Sequence, residues 1–135
     1  MKRLTIVLSL LLIAALFVGC AQKLSDKFDE DAIVSAAQEV VALMNEGKYE
    51  EITAKTREDL REALSAEVLA SAAEQVLADA GDFSSFGKYT VAGQKDKSTG
   101  EEYAVVVLQA EYANKTHVYT LSFDANMNIV GFYIK

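Results

Sequence analysis

An α+β domain is what the sequence predicts, with N-terminal helices packed on a curved four-stranded antiparallel sheet. Three observations carry that expectation. Apolar residues recur at three- and four-residue spacing from Phe28 to about Ala80, then at two-residue spacing from Tyr89 onward. Three short, turn-rich connections join the later segments, and connections so short join antiparallel neighbours. The 135-residue chain contains one Cys, no Pro and no Trp, so the fold must stand on its apolar core without a disulfide.

The elements follow in order. From Phe28 to Glu46 the residues Phe28, Ala32, Ile33, Ala36, Ala37, Val40, Val41, Leu43 and Met44 make one helical face. Asp29, Glu30 and Asp31 fill its first turn, where the helix dipole favours negative charge. Gly47 follows as a left-handed cap, and a short helix, Tyr49 to Lys55, comes next. Thr56-Arg57-Glu58-Asp59 resembles a capping box opening a helical turn or two toward Leu64, with Arg57 to Glu62 as a solvated face. Ser65 caps a helix from Ala66 to Ala80, which Gly81 closes.

Strands are expected at Tyr89 to Gly93, Tyr103 to Tyr112, Thr116 to Asp124 and Ile129 to Ile134. Lys95 to Gly100, Asn114-Lys115 and Asp124 to Asn128 supply the turns. On the second strand Ala104, Val106, Leu108 and Ala110 share a face opposite Tyr103, Val105 and Val107. On the third, His117, Tyr119, Leu121 and Phe123 oppose Val118, Thr120 and Ser122. Both faces are substantially apolar. One carries the helices, and the other needs a cover, a partner or a ligand.

Ahead of the domain stands a segment of different character. Lys2 and Arg3 precede a largely apolar run, Leu4 to Val18, that ends in Gly19-Cys20, the layout of a secretory signal. The run is shorter than the ~20 residues of a membrane span. With the single cysteine directly after Gly19, the site resembles the bacterial lipobox, although Phe17 and Val18 stand where Leu and Ala or Ser are usual. The expected organisation is a signal peptide over residues 1–19, cut between Gly19 and Cys20. Lipidated Cys20 and a short tether then cover 20–27, and a single domain covers 28–135. The expected partner of Cys20 is the membrane, through diacylglyceryl and acyl groups at the extracytoplasmic face, since two or three chains anchor durably where one does not.

Charge narrows the remaining possibilities. Twenty acids stand against 13 basic residues, a net charge of −7 that becomes more negative once Lys2 and Arg3 are removed. Such a surface excludes nucleic acid as a partner and disfavours electrostatic docking on anionic headgroups. No cofactor and no metal are expected, since one Cys and one His cannot build a Cys/His zinc cluster.

Several local pieces resemble a known family: Glu46-Gly47-Lys48-Tyr49-Glu50-Glu51, Ala63 to Leu69, Ala80-Gly81-Asp82-Phe83, and the hairpin Phe123-Asp124 with Ile129 to Ile134. Together they look like the domain of unknown function 3887 family, within the cone-shaped nuclear transport factor 2-like (SnoaL-like) superfamily. The resemblance implies a cystatin-like cone in a lipoprotein or secreted bacterial protein, and it carries no functional residues with it. Such domains often have a Trp in the helix before the Gly-x-Phe turn, where this chain offers Ala70, Ala72 and Ala73.

The candidate ligand-binding residues are Tyr103, Tyr119, His117, Phe123 and Tyr133, as aromatic bodies with polar groups at the mouth of such a cone. The expected role is non-catalytic, either binding a small apolar ligand or docking an envelope protein. The rivals are a homodimer through the uncovered sheet face and a small enzyme with His117 and a tyrosine as its acid–base pair. Glu111, across the Asn114-Lys115 turn, is the acid nearest to His117 in sequence. Asp124 reads as a turn starter and Ser65 as a cap. Asp26, Asp29, Glu30 and Asp31 lack calcium-loop spacing.

Overall fold

A computed structural model describes residues 22–135; the signal segment, Gly19 and Cys20 lie outside the described residues. Helix α1 spans Glu30–Asn45, α2 Tyr49–Lys55 and α3 Ala66–Val76, with a single 3-10 turn at Glu58–Leu60. Strands β1 (Phe83–Lys95), β2 (Glu102–Tyr112), β3 (Thr116–Phe123) and β4 (Ile129–Ile134) follow. They form one antiparallel, curved and open sheet in the order β1-β2-β3-β4. The predicted fold class, α+β, is the one observed.

Helix α1 begins where its sequence supplies acceptors for the free N–H groups. Asp29 is the N-cap, and its Oδ1 accepts from the Asp31 N–H at 2.9 Å and the Ala32 N–H at 3.3 Å. Its inner face, Ile33, Ala37, Val40, Val41 and Met44, lies buried on the sheet. The sheet answers with paired small and large residues: Ala104 beside Phe123, Val106 beside Leu121, Leu108 beside Tyr119 and Ala110 beside His117. All eight are buried. Burial of side chains of this size contributes about 1.5–3 kcal/mol each for the larger ones, and no cross-link assists it.

Four local readings are corrected by tertiary contacts. Thr56 opens no capping box; it ends α2, and its hydroxyl donates back to the Ile52 carbonyl at 2.9 Å while its backbone bridges to Ile129. The Arg57–Glu62 run is solvated as expected, with Glu58, Asp59, Arg61 and Glu62 exposed, but it forms a 3-10 turn at Glu58–Leu60 rather than an α-helical face. Arg57 clamps Asp59 and Glu101, each at 2.7 Å, and Arg61 donates to the Thr56 carbonyl at 3.0 Å. Helix α3 stops at Val76 rather than Ala80. The carbonyls of Ala80 and Asp82 accept instead from the Asn114 and Ala113 N–H groups, both at 2.8 Å, and Gly81 takes φ +79° as the chain turns. Strand β1 starts at Phe83, well before Tyr89. Its first half holds the poor strand formers Ser84, Ser85 and Gly87, yet Phe83, Ser85 and Phe86 pair with Tyr112, Glu111 and Ala110, with register shifts at Ser84 and at Gly87-Lys88.

The described part of the expected tether, residues 22–27, is docked on the sheet. Gln22 exchanges two backbone hydrogen bonds with Gly93, at 2.9 and 2.6 Å. A Cβ on Gly93 would stand 2.4 Å from the Lys23 carbonyl oxygen, so only glycine admits this approach. Farther along, Ser25 donates to Glu102 at 3.0 Å and Lys27 pairs with Glu102 at 3.1 Å. At the β3–β4 turn Asp124, 6% exposed, holds the N–H groups of Asn126 (3.0 Å) and Asn128 (2.8 Å) with one oxygen, and Met127 is left at φ +65°.

Asp124→Ala leaves those donors unanswered, and urea denaturation should show a loss of about 2–3 kcal/mol. Gly93→Ala should release the docked segment. Its signature would be loss of hydrogen-exchange protection at the Gln22 amide, with β2 and β3 amides unchanged; continued protection at Gln22 would contradict the close-approach argument.

Candidate functional site

The five candidate residues are not brought to one cavity. Tyr119 (0% exposed) and Phe123 (2%) belong to the core beneath the helices, where no ligand reaches them. Tyr103 is buried on the face turned away from the helices, and its hydroxyl is hydrogen-bonded with Glu101 and Arg57. Tyr133 is half-buried on that same outer face, beside Thr120, and Val107 on β2 stands exposed there. His117 is buried rather than solvated. Its Nδ1–H donates to the main-chain oxygen of Lys135 at 3.1 Å, and its Nε2 is buried without a partner. Glu111 does not serve it: it lies exposed on the opposite face and accepts from Ser85 at 3.1 Å.

What the fold does assemble is a polar chain at the C-terminal end of α1. Tyr112 donates to Asn45 Oδ1 at 2.6 Å, and its oxygen is 2.6 Å from that of Tyr119, which is therefore the donor of the pair. Burial pushes the Tyr119 hydroxyl well above the ordinary tyrosine range, and Tyr112 is raised by the same cause, with its hydrogen bonds opposing. Around these hydroxyls runs a file of rings. Phe83 lies 4.9 Å from Phe86 and 5.6 Å from Tyr112, and Tyr112 lies 5.5 Å edge-on from His117.

Open space lies beside this file. A cleft of about 380 Å³ separates α1 and α3 from the start of β1, lined among others by Asn45, Tyr49, Glu74, Asp82, Phe83 and Tyr112. It exists because α3 turns Ala70 and Ala73 toward it; a larger side chain at either position would fill it. A shallower groove continues past Tyr49 and Ala70 between Glu50, Glu51 and Glu67, and there Lys48 is already engaged by Glu46 at 3.0 Å. The cleft lining contains no cation, and neither Glu74 nor Asp82 has an ion pair among the described residues. Its field therefore repels anions and suits neutral or cationic molecules, with aromatic faces for an ammonium group.

Sequence reasoning passed over Asn45, Phe83 and the alanines. A signal existed in the alanine pair at i, i+3 facing an aromatic Gly-x-Phe turn, but spacing alone does not show which small residue borders a void.

A family profile described as "Protein of unknown function (DUF3887)" matches residues 37–132. Among solved structures, an NMR structure of a protein from Ruminococcus gnavus ATCC 29149 is similar, with a TM-score of 0.74 and 27% identity. The match covers 84% of this chain and 96% of that one. No curated protein matches.

The buried tyrosine pair makes stability sensitive to alkali. A phenol held protonated in the fold stabilises it fully below the ordinary tyrosine value of about 10, and progressively less as pH rises past that value toward the raised folded one. Tyr119→Phe should cost about 1 kcal/mol at neutral pH yet flatten the loss of stability above pH ~10. Equal slopes for the two proteins in pH-dependent urea titrations would refute the assignment.

Proposed function

Because the chain belongs to the DUF3887 family, a family of unknown function, we propose its role from geometry: a cell-envelope lipoprotein whose cleft binds a small ligand without chemistry. Diacylglyceryl and acyl groups on Cys20 hold it to the membrane at the extracytoplasmic face, and the domain is of the nuclear transport factor 2-like cone type. The lipobox-like Gly19-Cys20 after the apolar run supports the anchor. The single observation that carries the binding role is the aromatic cleft lined by Asn45 and Tyr112, which a hydrogen-bonded chain ties to the buried Tyr119.

A cleft of about 380 Å³ falls at the small end of ligand pockets. Hydroxyl and amide groups fix orientation, rings supply contact area, and Glu74 with Asp82 sets the sign of charge. The rival acid–base reading has less support. The unpartnered Nε2 of His117 is buried, no Asp or Glu side chain among the described residues hydrogen-bonds the ring, and His117 is not among the residues that line the cleft.

Two measurements test the proposal on the full chain expressed in a bacterial host. Labelled palmitate should enter the wild-type chain and not Cys20→Ser; equal labelling would refute the anchor. Native mass spectrometry of the wild type should show a retained small molecule, which Ala73→Leu loses by filling the cleft. Retention by the filled variant would place the ligand elsewhere, and a bare mass for both proteins would turn the reading from ligand binding to protein docking.

A further inference from the structure

The two ends of the domain differ in chemistry, and the docked N-terminal segment says which of them meets the membrane. Gln22 is hydrogen-bonded to Gly93, close to the β1–β2 hairpin tip, and one residue in sequence separates it from Cys20. An acyl group on Cys20 would thus leave almost no free chain between the bilayer and this end. The cleft stands at the other end. Phe83 pairs with Tyr112 at the far limit of the same hairpin, and α1 starts just after Lys27, which is paired with Glu102, and ends with Asn45 at Tyr112. Sixteen residues of α1 separate the two ends by roughly 25 Å.

The hairpin end also presents free lysines beside the docked segment. At the hairpin end Lys23, Lys95 and Lys97 are exposed and form no ion pair among the described residues. Glu102 is engaged there by Lys27, Glu101 by Arg57, and Asp96 by the Ser98 N–H and hydroxyl, while Asp26 and, at the start of α1, Asp29, Glu30 and Asp31 stand exposed without a basic partner among the described residues. The cleft end carries Glu50, Glu51, Glu67, Glu74 and Asp82; there Lys48 and Lys115 are paired with Glu46 and Asp79, and Lys135 stands exposed beside His117. Lys23, Lys95 and Lys97 are the groups at this hairpin end that can meet lipid phosphates directly.

Resting on the anchoring reading above, we propose that the β1–β2 hairpin tip and the docked 22–27 segment sit against phospholipid headgroups, so that the cleft opens away from the bilayer. The unpaired lysines face the lipid phosphates. The acidic cleft is left to approach by solutes or other envelope components. The domain is then an oriented module, and the backbone bonds at Gly93 transmit its orientation.

The chain has no Trp, so single tryptophans report depth without interference. Ser98→Trp at the hairpin tip and Ala78→Trp at the cleft are both at exposed positions. Each full-length variant, purified with its anchor, goes into phosphatidylcholine–phosphatidylglycerol vesicles that contain a nitroxide-headgroup lipid. The expected result is several-fold stronger quenching at position 98 than at 78, with the contrast lost when Lys23, Lys95 and Lys97 are all changed to Glu. Equal quenching, or stronger quenching at 78, in a chain whose intact mass shows acylated Cys20 would overturn the orientation alone. An intact mass without acyl groups would overturn the anchoring reading, and this inference with it.

Discussion

Everything in this domain depends on α1 burying its apolar face in the concave side of the sheet. Ile33, Ala37, Val40, Val41 and Met44 meet the inner residues of β2 and β3, and no disulfide shares the task. The helix runs the full length of the layer, so its two ends have different surroundings by construction. Its start is tied to Glu102 through the Lys27 ion pair, and its last residue, Asn45, takes the Tyr112 proton. Helices α2 and α3 then complete the layer, α2 bound through Thr53 to the Leu64 carbonyl at 2.7 Å.

Two kinds of small residue shape the molecule, for opposite reasons. Gly93 is small because the backbone of Lys23 occupies the place of its side chain, so smallness there makes a contact. Ala70 and Ala73 are small with open space beside them, so smallness there makes a cavity. Next to that cavity the core stores a satisfied polar chain in which each hydroxyl of Tyr112 and Tyr119 has a partner. A buried hydroxyl without one would cost about 1–3 kcal/mol, which is why the pair appears together with Asn45 rather than singly. His117 Nε2 is the buried exception among the described side chains.

Most of the architecture was legible in the chain. Period-three-and-four apolar spacing marked α1 to within two residues at its start, and Gly47 sits at φ +73° where the helix needed a left-handed stop. Alternation on β2 and β3 sorted inner from outer residues correctly, because a pleated strand has only two sides. The errors share one physical origin. Thr56 has the local pattern of a helix start, and Ser84, Ser85 and Gly87 have that of a loop. In each case a distant partner decided: Ile129 for Thr56, and the end of β2 for the first half of β1.

The candidate site shows the same division more sharply. By itself the sequence determined the order and type of the elements, the acidic balance, the sorting of aromatics onto strand faces and the position of the single cysteine after an apolar run. Those properties are local or compositional, fixed by periodicity and residue chemistry. Only the tertiary structure decided that Tyr119 and Phe123 are sealed in the core while Phe83 and Tyr112 border open space. It also decided that Glu111 does not reach His117 and that residues 22–27 lie docked on the sheet. Residues on one strand face are alike in pattern; how far the covering helix reaches along that strand determines which are buried and which meet solvent.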